Sequence, residues 1–220
     1  MLAENYKNVM NTITAAARRA GRDPASVKLI AVTKTVGVSV VEHAAALGMR
    51  DFGENRVQDA ALKVEKFPHF NWHFIGHLQS NKVKSVLPAY TLVHSLDRDS
   101  LATALQQRAE ELDIVVNALV QVNVSGEESK FGLSPARLPA FLLKLYSYDR
   151  IIVKGLMTMA PFVDDPEEAR PHFRHLRRLR DQNARTGMEL EELSMGMTND
   201  YEVAVEEGAT MVRIGSALFA

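Results

Sequence analysis

The sequence predicts an α/β protein: a single (β/α)8 barrel of the TIM type, preceded by one extra helix. Three observations predict it. Short apolar or β-branched runs recur eight times along the 220 residues. Stretches of helical spacing separate them, the pattern of parallel strands joined by helical crossovers, and eight such units match a closed barrel. The rival, an open doubly wound sheet, carries a glycine fingerprint after its first strand. Here Thr33-Lys34-Thr35-Val36-Gly37 follows, with no G-x-G-x-x-G.

The opening helix, residues 2–20, ends at Gly21, a C-cap glycine. The predicted strands are 28–33, 50–53, 71–76, 91–96, 115–124, 151–159, 192–195 and 211–214. The helices between them are 39–47, 56–64, 80–86, 100–112, 135–146, 166–186 and 199–207. No Pro/Gly/Ser-rich linker interrupts the pattern, so residues 1–220 are predicted to form one domain with lean loops. With 46% hydrophobic residues the chain can bury a sizeable core. A net charge of -1 gives no basis for general nucleic-acid or membrane affinity. The absence of cysteine excludes a disulfide framework and a thiolate metal site. Met1-Leu2-Ala3-Glu4-Asn5-Tyr6-Lys7 has no signal-peptide character, and no apolar run approaches the ~20 residues of a membrane span. These features predict a cytoplasmic protein.

Two strand ends carry the chemistry. Strand side chains alternate, so Ile30, Val32 and Lys34 share a face. With Ile30 and Val32 inside the barrel, Lys34 points inward at its mouth. An amine there is partly desolvated, which lowers its pKa from ~10.4 and leaves more neutral nucleophile for a Schiff base with an aldehyde. A surface lysine at a strand end is the bland alternative. In the last strand Met211 and Arg213 share the face opposite Val212 and Ile214, so an inward Arg213 places a permanent cation inside the mouth. Gly215 allows close backbone approach and Ser216 adds a hydroxyl, as a phosphate requires. The seventh strand ends in Leu193-Ser194-Met195-Gly196-Met197-Thr198, again small and hydroxyl-bearing, where TIM barrels commonly hold phosphate. An aldehyde and a phosphate on one small molecule suggest pyridoxal 5′-phosphate (PLP).

Other features read blandly. His73 and His77 have the i, i+4 spacing of zinc ligands on a helix, but Phe74-Ile75-Gly76 reads as a strand end and no Glu follows His73, so no metal site is expected. In Arg174-His175-Leu176-Arg177-Arg178-Leu179-Arg180 the apolar residues recur at helical spacing with Phe173 and Ala184, which makes the arginines a solvated face rather than a nucleic-acid surface. Asp164, Asp165, Glu167 and Glu168 suit that helix's N-terminus. Leu156, Met157 and Met159 read as packing at the barrel mouth.

The chain resembles the pyridoxal phosphate homeostasis protein family, relatives of the barrel in alanine racemases. The resemblance rests on Ala31-Val32-Thr33-Lys34, Phe52-Gly53-Glu54-Asn55-Arg56-Val57-Gln58, Trp72-His73-Phe74-Ile75-Gly76-His77-Leu78-Gln79-Ser80-Asn81-Lys82 and Val93-His94-Ser95-Leu96-Asp97. It continues through Val122-Asn123, Lys130-Phe131-Gly132, Gly155-Leu156-Met157-Thr158-Met159-Ala160, Leu193 to Asp200 and Val212-Arg213-Ile214-Gly215-Ser216. The block around His73 and the last two segments are the most specific. The resemblance implies a PLP Schiff base on Lys34, Arg213 facing the pyridine nitrogen, and phosphate contacts around Ser194, Gly196, Gly215 and Ser216. It also implies that Asn55, His77 and Met195 lie near the cofactor. Thr198 and Ser216 stand where serine and threonine are more usual, and both keep a hydroxyl; Ala220 stands where glycine is common.

The resemblance also separates this chain from the racemases, which carry a second, β-rich domain supplying a tyrosine base from the partner subunit. This chain stops at Ala220, after the eighth strand. No tyrosine among Tyr6, Tyr90, Tyr146, Tyr148 and Tyr201 lies in a catalytic motif, and two-base racemisation needs an acid/base on each substrate face. An arginine at the pyridine nitrogen weakens the cofactor as an electron sink. The expected function is therefore PLP binding in vitamin B6 homeostasis, without robust turnover and with no catalytic residue. Residual PLP chemistry, apo PLP enzymes as recipients and a monomeric state accompany it. The alternatives are a fold-type III PLP enzyme such as an amino-acid racemase, and a phosphate-handling barrel without PLP.

Overall fold

The computed structural model describes residues 1–184 and 189–220. Its strands are β1 (Lys28–Val32), β2 (Asp51–Glu54), β3 (Asn71–Phe74), β4 (Leu92–Leu96), β5 (Val116–Gln121), β6 (Ile151–Met157), β7 (Glu192–Ser194) and β8 (Met211–Ile214). They close in sequence order into a barrel, and β1 pairs in parallel with both β2 and β8. The helices are α1 (Leu2–Arg19), α2 (Val38–Ala46), α3 (Val57–Lys66), α4 (Val83–Val86), α5 (Asp99–Leu112), α6 (Leu138–Leu145), α7 (Arg170–Asn183), α8 (Tyr201–Glu206) and α9 (Ser216–Phe219). This is the (β/α)8 barrel with an added N-terminal helix that the alternation predicts.

The differences from expectation are at element ends, except that α9 is a short helix not expected after the last strand. The first helix stops at Arg19 with Ala20 as its cap. Gly21 follows in the left-handed region, and the Arg22 and Gly21 N–H groups close the helix on the Ala17 and Arg18 carbonyls. Three predicted helix starts are 3-10 turns: Ser80–Lys82, Pro135–Arg137 and Pro166–Ala169. Proline at the first position fixes φ in two of them. The expected end of the seventh helix at 186 falls outside the described residues. Strands β1, β3, β5 and β6 are each shorter than predicted because their last residues turn into the loops of the barrel mouth.

Apolar burial forms two zones. The larger lies between strands and helices and holds Val9, Ile13, Ala16 and Ala17 of α1, Phe52, Trp72, Phe173, Leu193, Met195, Val212 and Ile214. The spacing 9, 13, 16, 17 is one face of a helix. The smaller zone fills the barrel: Ile30, Leu92, Leu119, Met157 and Met211, with Met159 packed against it. Of the arginines expected as a solvated face, Arg174 stays exposed and Arg177 partly exposed, and both also pair across to α8, joined by Arg170 one turn earlier. Arg170 and Arg174 bond to Glu207, Arg170 also to Glu206, and Arg177 to the Glu207 carbonyl, tying α7 to α8. The predicted acidic start of that helix is present, with Asp165 accepting the Glu167 N–H and Glu167 paired with Arg170.

One buried ion pair lies outside the sheet. Lys63 of α3 donates to Glu54 Oε1 at 2.6 Å and to the Thr33 carbonyl at 2.7 Å. The Thr33 hydroxyl donates to the same carboxylate oxygen at 2.6 Å. These three residues anchor the turn that carries Lys34. Removing one partner of such a pair strands the other charge, at a cost of about 3–5 kcal/mol. Lys63→Met should therefore lower the urea unfolding free energy by about that amount, while Lys66→Met, on an exposed pair with Glu42, should change it by less than about 1 kcal/mol.

Candidate functional site

The carboxyl ends of the strands bring together most of the residues singled out in the sequence. Lys34 lies two residues past β1, in the turn closed by the Val36 N–H on the Thr33 carbonyl. Its side chain is exposed. Strand β1 ends at Val32, and by position 34 the chain has left the interior. Ile30 does point inside, and the β1–β8 register sets it opposite Arg213.

Arg213 is inward, as alternation with Ile214 predicts: Ile214 packs with the helices, whereas the guanidinium is buried within the barrel. Its Nη1 donates to Ser194 Oγ at 2.6 Å and its Nη2 to the Thr158 carbonyl at 2.8 Å. Burial pushes the guanidinium down to about 10, with the charge of Asp200 opposing, so it is a cation at neutral pH. Asp200 is itself raised by burial, against the Met197 N–H that its carboxylate accepts at 2.6 Å and the Arg213 charge.

Ser194 faces the interior and Met195, one residue on, faces the helix layer, so the Met195 side chain does not reach the mouth. Gly196 has φ +93, and a Cβ there would come within 2.6 Å of the Ala204 Cβ. Only glycine lets the β7 turn lie this close to α8. Gly215 borders Val32 at the end of β1. Ser216 begins α9, and its hydroxyl donates to Thr198 Oγ1 at 3.1 Å, so the turns after β7 and β8 present two hydroxyls side by side. Asn55 follows β2 and abuts Gly76, where a Cβ would stand 2.2 Å from the Asn55 carbonyl oxygen. His77 is exposed and stacks on Phe131, with ring centroids 4.0 Å apart, while its Nδ1 lies 3.8 Å from Asp97 Oδ2. Burial pushes His77 down, Asp97 opposing. The loop that carries Phe131 is stapled by Asn123, which binds the Glu127 and Lys130 carbonyls and accepts from Ser125 and Gly126.

A polar chain below this mouth went unread in the sequence. Asp51 Oδ1 lies 3.1 Å from His73 Nε2, His73 Nδ1 lies 2.9 Å from His94 Nε2, and His94 Nδ1 lies 2.9 Å from Ser194 Oγ. Burial, reinforced by the charge of Arg213, pushes His94 well below the usual histidine range. Burial lowers His73 as well, with Asp51 opposing. The signal was present in the phase of the strands: His73, His94, Ser194 and Arg213 are polar residues on inward faces. Among the described residues, no group of three or more His, Cys, Asp or Glu is placed to hold a metal ion.

Over residues 4–220 the chain matches the family described as alanine racemase, N-terminal domain. It is 44% identical over 219 residues to the pyridoxal phosphate homeostasis protein of Aquifex aeolicus (strain VF5), covering 98% of this chain and 96% of that one. A solved structure described as an unknown protein from Bifidobacterium adolescentis has a TM-score of 0.94 at 38% identity, covering 99% of this chain and 94% of that one. PipY of Synechococcus elongatus PCC7942, solved with PLP bound, has a TM-score of 0.87 at 34% identity, with both chains covered completely.

The buried histidines set a pH dependence. Unfolded, each titrates near ~6.5; folded, both titrate lower. Below ~6.5 the unfolded chain takes up protons that the folded chain refuses, so stability falls toward low pH by up to about 1.4 kcal/mol per pH unit for each histidine. Replacing His94 by Gln removes one titration. The stability of wild type minus that of His94→Gln, from urea denaturation, should shrink between about pH 7 and pH 5. A difference independent of pH would contradict the buried neutral His94.

Proposed function

This chain belongs to the alanine racemase N-terminal domain family, and from that premise we propose that it binds PLP through Lys34 and serves intracellular PLP homeostasis without robust turnover. The observation that carries the reading is convergence at one barrel mouth. An exposed lysine, an interior arginine cation and two adjoining hydroxyls come from β1, β8 and the β7 turn. The relatives named for PLP homeostasis and solved with PLP support it.

The residues fit the cofactor. When bound, PLP supplies an aldehyde that condenses with an amine and releases water, and a phosphate. Lys34 provides the amine on a turn held by Thr33, Glu54 and Lys63. Gly196, Gly215, Ser216 and Thr198 provide a phosphate cradle of small residues and hydroxyls. Ser194 supports Arg213 from below rather than meeting the phosphate, because its oxygen is already engaged by Arg213 and His94 and is fully buried. Arg213 meets the ring nitrogen as a donor that keeps its proton. Asn55 and His77 line the rim, and Met195 contributes only backbone.

Weak chemistry follows from the same residues. Tyr90 is buried, with burial and the Glu54 charge raising it further above the usual phenol range. Tyr146 and Tyr148 lie in the connection from α6 into the start of β6, at the far end of the barrel, and Tyr6 lies on α1. Tyr201 begins α8, with its Cα against Gly196. Tyr6, Tyr146 and Tyr148 thus lie on elements away from the Lys34 turn, and Tyr90 is sealed in the core. Among the described residues no helix is long and apolar enough to cross a membrane. A cytoplasmic monomer in which residues 1–220 form one domain, with apo PLP enzymes as recipients, fits this reading.

Borohydride reduction of the PLP-loaded protein, followed by peptide mapping, should place the cofactor on Lys34; label on Lys82 or Lys130 instead would reject the assignment. Lys34→Ala should lose the covalent link and keep weaker, phosphate-driven binding. Incubation with L- or D-alanine should show α-hydrogen exchange far below ordinary turnover of about 1 s⁻¹. Turnover at or above that rate would make the racemase reading the better one.

A further inference from the structure

The polar chain through the barrel has one proton order that satisfies every atom. The Asp51 carboxylate only accepts, so the nitrogen facing it, His73 Nε2, carries the hydrogen. A neutral His73 then offers a lone pair at Nδ1, and the hydrogen between the rings belongs to His94 Nε2. A neutral His94 offers its lone pair at Nδ1, so the Ser194 hydroxyl donates to it. The Ser194 oxygen is left to accept from Arg213 Nη1, which can only donate. Each group donates to the next, from Arg213 down to Asp51. The opposite order fails at both ends: the His73 lone pair would face a carboxylate, and the Ser194 oxygen would receive two donors while its own hydrogen had no acceptor.

We propose that Asp51, His73, His94 and Ser194 are positioning residues that act as a one-way hydrogen-bond relay, in which the carboxylate at the amino end of the barrel sets both histidine tautomers and fixes the Arg213 guanidinium at the opposite mouth. The charged groups around the relay agree with this order. Lys28 of β1 lies 3.7 Å from Asp51 Oδ1, and Asn71 of β3 donates to the same oxygen at 3.2 Å. Burial works against the Asp51 carboxylate, but the His73 hydrogen bond, the Lys28 charge and the Asn71 hydrogen bond hold it below its ordinary range. His73 also feels Glu192, and Arg213 feels Asp200. The interior between the two ends is apolar, formed by Ile30, Leu92, Leu119, Met157 and Met211, so a misdirected proton has no solvent to correct it. The proton order stands on the geometry alone; its consequence for a ligand rests on the proposed place of Arg213 at the cofactor ring.

Nitrogen-15 spectra of the histidine side chains test the order without any cofactor. Wild type at neutral pH should show His73 and His94 neutral, both with hydrogen on Nε2. A cationic ring, or hydrogen on Nδ1 of either, overturns the relay, and this measurement needs no variant to fold. Asp51→Ala should mix the tautomers of His94, which Asp51 does not touch, and speed hydrogen exchange of the Arg213 guanidinium about tenfold or more. Lys28→Met, which borders Asp51 but passes no hydrogen, should leave both unchanged. An unaltered His94 tautomer in Asp51→Ala shows that Asp51 does not set the order. With PLP bound, Asp51→Ala should also shift the visible absorption maximum. If the tautomers respond and the absorption does not, the relay stands and the placement of Arg213 at the ring falls.

Discussion

A permanent cation inside an apolar barrel is the constraint on which the site depends. Arg213 is 4% exposed, and a guanidinium cannot neutralise itself by losing a proton at neutral pH. Taking such a charge out of water costs several kcal/mol unless donors and acceptors are matched. The matching comes from three groups at two strand ends: the Thr158 carbonyl after β6, the Ser194 hydroxyl of β7, and the charge of Asp200 beyond it. Asp200 in turn holds the Met197 N–H and so shapes the turn that bears Gly196 and Thr198. One side chain thereby fixes the geometry of a whole side of the barrel mouth.

The opposite side is fixed by a separate device. Lys63, Glu54 and Thr33 form their cluster on the outer surface of the sheet, beneath α3, and hold the backbone of the Lys34 turn. The amine itself stays exposed and free to reach a partner, while its base is rigid. Precise sites are those whose supporting side chains are locked by packing and hydrogen bonds. Here each half of the mouth has its own lock, one inside the sheet and one outside, and the β1–β8 pairing joins them through the Ile30–Arg213 register.

The barrel was legible because strand and helix periods alternate eight times, and because strand phase alone separates Arg213 from Ile214. The same rule reaches only to Val32 in β1, since phase holds only while the strand lasts and Lys34 lies two residues beyond it. It also assigns the Met195 side chain, out of phase with Ser194, to the helix-facing layer. The relay was missed for a different reason. Its members are spread over β2, β3, β4 and β7, and their meeting requires the barrel to close. Sequence spacing offered only His73 and His77, which look paired along the chain and lie apart in the fold, one in the interior and one at the rim. Register shifts in β4–β5 and β5–β6 also break the inward phase on that side of the barrel.

On the proposed reading, the two buried polar systems together favour holding the ligand over transforming it. With Arg213 at the ring nitrogen, the ligand meets a donor whose own hydrogen bonds run away from it, toward Ser194 and ultimately a carboxylate. That direction leaves the guanidinium charged and stationary, so the ring nitrogen is not protonated and the ligand is a poor electron sink. General acid–base work needs a group near neutrality that both takes and gives a proton. The histidines best suited to that role are sealed beneath Arg213, with each ring nitrogen already engaged. The arrangement that makes an interior cation tolerable thus keeps these histidines away from the mouth, and on the proposed reading leaves there an exposed lysine, small residues with hydroxyls and a fixed positive charge to retain a phosphorylated aldehyde.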